Sequence, residues 1–114
     1  MLHLAESRRR KLAAQTPALL VLFDLLADGK KDLTQALLPE RRAALERLFA
    51  SFPAGSPFRL SPYTRKPATA KGWLKLAGRG ALDGVIAKPL DAPYLCGGRA
   101  MIKVKNLKTA DCVV

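Results

Sequence analysis

The sequence is poor in the groups that build metal centres and covalent frameworks. It has one histidine and two cysteines, Cys96 and Cys112, and no Cys-x-x-Cys. Zinc ligation needs clustered cysteine and histidine at short spacings, so a zinc site is not expected. Nor do two cysteines make the disulfide framework of a small secreted domain. A reducing cytoplasm is the expected compartment, and both thiols read as small apolar side chains. Acidic residues are scarce as well: 9 Asp and Glu stand against 20 Lys and Arg, for a net charge of +11 and a pI near 10.3. That imbalance points to a polyanionic partner and says nothing about fold. Long apolar runs are also missing. Ala18–Ala27 is interrupted by Asp24 and is shorter than the roughly 20 residues of a bilayer span. Charged Asp28-Gly29-Lys30-Lys31 follows it in place of a small-residue cleavage site, so it is not a secretory signal, and no membrane partner is expected.

Hydrophobic residues make up 49% of the 114, which excludes disorder and permits one small domain with a modest core. Ala5–Gln15 reads as a short basic helix ending before Pro17. Leu19–Leu26 is continuous and apolar, as a buried strand would be. Pro39–Phe52 is the clearest helix: Pro39 suits a first turn, and Leu45, Leu48, Phe49 and Phe52 recur on one face. Phe58–Pro62 reads as a short strand. Pro67–Ala77 reads as a second amphipathic helix with Ala70, Trp73, Leu74 and Ala77 inward, closed by Gly78. Leu82–Lys88, Met101–Lys105 and Ala110–Val114 read as strands, with a loop over Asp91–Gly98 and a polar turn around Asn106–Lys108. Helices and strands mix without a β-α-β rhythm, so the class is α+β.

Three groups of residues could carry chemistry. Phe23-Asp24 puts a carboxylate inside an apolar run, which is costly unless the group is paired or binds something. A salt-bridged or solvated strand end is the plain alternative. Asp83-Gly84-Val85-Ile86-Ala87-Lys88 puts a glycine, which lets a backbone or ligand come close, beside a carboxylate able to hold a metal ion. A tight Asp-Gly turn entering a strand explains it equally. Lys88 has the opposite strand parity to Asp83, so both reach one pocket only if the strand twists or ends there. Last, Arg99 precedes Lys103-Val104-Lys105, whose lysines share a strand face about 6.6 Å apart. With the arginine fork upstream they could hold a phosphate chain, or simply form a wet face.

Taken in order, Phe-Asp-Leu-Leu, Asp-Gly-Val-Ile-Ala-Lys and Lys-Val-Lys resemble motifs III, IV and V of the covalent nucleotidyltransferases. Within them the chain looks most like the bacterial ATP-dependent DNA ligases of end joining and repair, from about Leu4 onward. Leu38-Pro39-Glu40-Arg41-Arg42 and Thr109-Ala110-Asp111-Cys112-Val113-Val114 carry the likeness too. The resemblance implies a partial, ATP-grasp-like adenylation domain over 1–114, with an antiparallel or mixed sheet and flanking helices. It implies ATP and magnesium or manganese as cofactors, and nicked or broken double-stranded DNA as partner. Such ligases form a lysyl-AMP, pass AMP to a 5′-phosphate and seal the nick with the 3′-hydroxyl. By this resemblance Phe23 stacks on adenine, Lys103 and Lys105 contact the α-phosphate, and Arg99 and Lys88 bind nucleotide nearby. Asp83 stands where glutamate is usual and helps place the cation, one methylene short, and Asp24 supports the pocket or the metal.

One departure is large. None of the lysines is followed by x-Asp-Gly, so the family's nucleophile motif does not occur, and no catalytic lysine is assigned. The motif I half and the oligonucleotide-binding domain that usually follows motif V are not in these 114 residues. Helix formation begins within a few residues of the start and the last expected strand runs to Val114, so both ends read as cuts through a larger domain. Three functions follow: a ligase fragment that does not adenylate itself, a non-enzymatic basic module that binds nucleic acid, or half of a split ligase whose other chain carries motif I.

Overall fold

A computed structural model describes residues 4–79 and 82–106. The expected final strand at Ala110–Val114 and the turn's Leu107 and Lys108 lie outside the described residues. Helix α1 spans Leu4–Gln15, closed by the Thr16 amide donating to the Leu12 carbonyl. Strand β1 is Leu20–Leu22, β2 is Ala27–Asp28 and β3 is Lys31–Asp32. Helix α2 is Leu38–Ala50, β4 is Phe58–Leu60 and α3 is Pro67–Leu76. Strands β5, Gly84–Ala87, and β6, Ile102–Lys105, complete the order. The class is α+β, as expected.

The strands do not merge into one sheet. Among the described residues they form three two-stranded ladders: β1 with β4 in parallel, and β2 with β3 and β5 with β6 antiparallel. One reading changes. The apolar run at Leu19–Leu26 is not one buried strand. Only three residues pair, and Leu20 and Val21 are exposed, because among the described residues β4 is the sole neighbour and no second layer covers them. The ladder stops at Leu22, where the Ser61 amide donates to its carbonyl, and the chain turns away through Phe23-Asp24-Leu25. The Asp28-Gly29-Lys30-Lys31 stretch forms a two-residue hairpin between β2 and β3. Gly29 has φ 59° and Lys30 is not left-handed, the pattern of a type II′ turn with glycine first.

The core is small and centred on α2. Leu45, Ala44, Leu33 and Ala77 are its buried apolar side chains, Leu45 being 1% exposed. Burying a leucine contributes about 2–3 kcal/mol. The predicted apolar faces are in place: Leu48 and Phe49 are half-buried on α2 and Phe52 just past its end, and Trp73 and Leu74 on α3. Phe52 stacks against Phe58 of β4 with centroids 4.7 Å apart, and Phe49 meets Phe52 edge-on at 6.3 Å. That contact ties the end of α2 to the β1–β4 ladder. Arg42, also on α2, lies over the Tyr63 ring at 4.5 Å and donates to the Ser61 carbonyl at 2.9 Å.

Candidate nucleotide site

Three elements converge where β1 ends. Phe23 projects a ring that is 65% exposed, while the neighbouring Asp24 side chain is only 5% exposed. A carboxylate that deep requires partners, and it has three. Arg41 of α2 grips it bidentately, Nε to Oδ1 at 2.9 Å and Nη2 to Oδ2 at 3.2 Å. The Leu25 amide donates to Oδ1 at 2.9 Å. Lys88, just past β5, brings its Nζ to 3.6 Å from Oδ2 and to 5.1 Å from the centroid of the Phe23 ring. Burial by itself would raise the Asp24 pKa. The Arg41 and Leu25 hydrogen bonds and the charges of Arg41 and Lys88 outweigh it and hold the carboxyl below its ordinary 3.8. Two cations against one carboxylate leave the cluster formally positive, which suits an anionic ligand.

Arg41 also binds the loop after β5. Its Nη1 donates to the Ala36 carbonyl at 2.9 Å and the Ala92 carbonyl at 3.4 Å, and its Cζ sits 5.9 Å from the Tyr94 ring. A shallow cavity there is lined by Arg41, Lys88, Tyr94, Leu95 and Met101, among others. The Tyr94 amide in turn donates to the Thr34 carbonyl, fastening this loop beside β3.

The β5–β6 ladder supplies the second part. Gly84 pairs with Lys105 and Ile86 with Lys103. Directly paired residues of an antiparallel ladder share a face, so Lys103 and Lys105 lie on the Gly84–Ile86 face. Lys88 continues that parity, and Asp83 does not. The strand ends at Ala87, which frees Lys88 to reach Phe23 and Asp24. Gly84 is required by the approach of the partner strand: a Cβ there would run into the Val104 carbonyl oxygen. Lys103 and Lys105 are exposed, as are Arg99 and Asp83, and among the described residues none of these four has an ion pair or side-chain hydrogen bond.

The structure thus joins Phe23, Asp24 and Lys88 in one cluster and sets Lys103 and Lys105 on one ribbon face. It does not draw Arg99 or Asp83 into contact with them. Among the described residues no three His, Cys, Asp or Glu side chains gather into a possible metal site. Asp24 is already engaged by two cations, and Asp83 is a lone exposed carboxylate. These donors do not fit a divalent ion held by protein groups alone. Sequence reasoning gave Arg41 no role at the site. It lies four residues before Leu45 on the apolar stripe of α2, and a charge on such a stripe needs a buried counter-charge, which Asp24 could have supplied.

Comparison with known proteins now bears on this geometry. Residues 2–105 match the model of the ATP dependent DNA ligase domain, and the chain belongs to that family. It is 51% identical to DNA ligase C2 of Mycolicibacterium smegmatis, over 99% of this chain and 31% of that protein. It is 45% identical to DNA ligase C of Mycobacterium tuberculosis, over 99% of this chain and 32% of the relative. A probable DNA ligase of Anaeromyxobacter dehalogenans is 41% identical over 91% of this chain and 20% of its own length. The chain therefore spans about a third of the length of the first two relatives. No solved structure matches it. No helix among the described residues is long and apolar enough to cross a membrane.

Proposed function

We propose that these residues form the nucleotide-gripping later part of a DNA ligase adenylation domain, able to bind ATP but not to take AMP covalently without a Lys-x-Asp-Gly segment. The observation that carries this reading is the convergence of an exposed aromatic ring, Phe23, with Lys88, on a ladder whose Lys103 and Lys105 extend the same parity. Adenine stacks on the free face of Phe23, a contact worth about 1–3 kcal/mol per base. Lys103 and Lys105 meet the phosphates as point charges, and Lys88 and Arg99 add positive charge nearby. Asp24 supports the pocket by holding Lys88. Asp83 would help place a magnesium or manganese ion brought with ATP, and the ion would neutralise charge on the phosphates. In the complete reaction the lysine nucleophile attacks the α-phosphate. This chain's part is to orient the nucleotide and neutralise charge on it.

Incubation with magnesium and α-labelled ATP tests this directly. ATP binding without covalent label is expected, and stable labelling of this chain would overturn the assignment. Co-expression with a segment carrying Lys-x-Asp-Gly should restore label and nick sealing if that segment assembles with these residues as a split enzyme.

A second reading, direct binding of the DNA backbone, is favoured by α1. No residue of this helix is buried, and Glu6 pairs with Arg9 and Arg10, leaving Arg8 and Lys11 without an ion pair among the described residues. Binding of duplex DNA should weaken steeply with salt and be indifferent to ATP. A flat salt profile would rule out this reading.

A further inference from the structure

The Arg41 side chain is buried, and it touches three separate stretches of chain. Its bonds go to Asp24, to Ala36 and to Ala92, with Tyr94 beside it. The arginine itself is fixed, since it sits on α2 next to the buried Ala44 and Leu45. Phe23 is not fixed by any ladder, because β1 stops at Leu22. What holds the Phe23-Asp24-Leu25 stretch is the Asp24 carboxylate, and what holds the carboxylate is the Arg41 fork. Lys88 is then drawn to Oδ2 of Asp24 and placed above the Phe23 ring.

We propose that Arg41 is a positioning residue for nucleotide binding: its guanidinium fixes Asp24, and Asp24 sets both the Phe23 ring and the Lys88 ammonium where base and phosphate meet them. The proposal rests on the reading of Phe23 and Lys88 as nucleotide contacts. Lysine cannot replace the fork. A single ammonium keeps the charge but cannot span both carboxylate oxygens and the carbonyls of Ala36 and Ala92. A residue that merely stabilised the fold would be adequately replaced wherever the variant stays folded. A positioning residue would not.

The test compares the full wild-type chain with Arg41→Lys and, as a neighbour on the same helix, Arg42→Lys. Acetylation by an amine-reactive ester, read by mass spectrometry, reports the exposure of Lys88 against that of Lys103 and Lys105. Titration with AMP, followed by calorimetry, reports binding. In Arg41→Lys with unchanged far-ultraviolet dichroism, Lys88 labelling should rise at least threefold and AMP affinity fall at least tenfold. Lys103 and Lys105 labelling should not move, and Arg42→Lys should match the wild type. If Arg41→Lys does not fold, Asp24→Asn, which weakens the same link from its other end, should show the same rise at Lys88. A folded Arg41→Lys, or a folded Asp24→Asn used in its place, with wild-type labelling and wild-type AMP affinity overturns the proposal alone. A wild-type chain that binds no AMP overturns the nucleotide reading and this proposal with it.

Discussion

Arg41 and Asp24 meet through two hydrogen bonds, at 2.9 and 3.2 Å, with both side chains almost fully out of water. Removing Arg41 leaves the buried Asp24 carboxylate with Lys88 at 3.6 Å and the Leu25 amide alone, and breaking a buried pair costs up to about 3–5 kcal/mol. Arg41→Ala should therefore lower unfolding stability by roughly that amount. Arg42→Ala, which breaks a pair with the half-exposed Glu46 and also loses the Ser61 bond and the Tyr63 contact, should lower it by less, about 1–2 kcal/mol. Urea denaturation of both variants checks the contrast, and equal losses would count against the buried pair as the anchor.

The same pair makes stability depend on acid in a defined direction. The folded pKa of Asp24 lies below its ordinary 3.8, so its contribution is fully present above that value and is lost as pH falls through the folded pKa. The stability gap between wild type and Asp24→Asn should be constant at neutral pH and close progressively below about pH 4. Thermal melts from pH 7 down to pH 2 read this. A gap that widens on acidification contradicts the sign.

At Gly84 the neighbouring strand leaves no space for a side chain. Gly84→Ala forces the new Cβ against the Val104 carbonyl, so β5 and β6 must separate. Such overpacking costs about 1–3 kcal/mol, and it should also weaken ATP binding by displacing Lys105, the partner of Gly84. Chemical denaturation and ATP titration should move together. Loss of one without the other would separate the ladder from the site.

Lys103→Ala combined with Lys105→Ala should reduce ATP affinity at least tenfold, about 1.4 kcal/mol, while leaving adenosine affinity nearly unchanged. Phe23→Ala should do the opposite, weakening ATP and adenosine alike. Competition binding with the two ligands distinguishes the phosphate side from the base side. An equal loss of adenosine affinity in the lysine double variant would remove the phosphate assignment.

Exposed apolar residues line the strands: Ile102 is 68% exposed, and Leu20, Val21 and Ile86 are about half exposed. Unpaired strand edges beside such side chains invite association. The isolated chain should self-associate, as read by light scattering after gel filtration, and Ile102→Lys should reduce it. A monomer with a sharp cooperative melt would speak against this.

Much of the fold was legible because it is local. Pro39 at the start of α2 and the Ala70, Trp73, Leu74 and Ala77 stripe of α3 follow from spacing alone, and the structure keeps them. The parity argument at Lys88 also held, since that argument needs only the alternation of a strand and the place where it stops. What composition could not show is which surfaces find a neighbour. Leu19–Leu26 has the hydrophobicity of a buried strand, yet burial depends on a second layer that a run of leucines does not specify. Arg41 was hidden for a related reason. A charged residue on an apolar stripe becomes meaningful only when Asp24, distant in sequence, is seen opposite it.

The parallel pairing of Leu20 with Phe58 has a consequence in time. It closes over the β2–β3 hairpin and the whole of α2, so its loop entropy must be met before it gains any bond. Helix and hairpin contacts are local and form first. Phe23 follows directly on β1, so the aromatic platform is among the last features to acquire its place. Pulse-labelling of amide hydrogens during refolding should protect α2 before the Leu20 and Ser61 amides that close the ladder. The capacity to seat a purine would then report completed folding of this chain better than its helix content does.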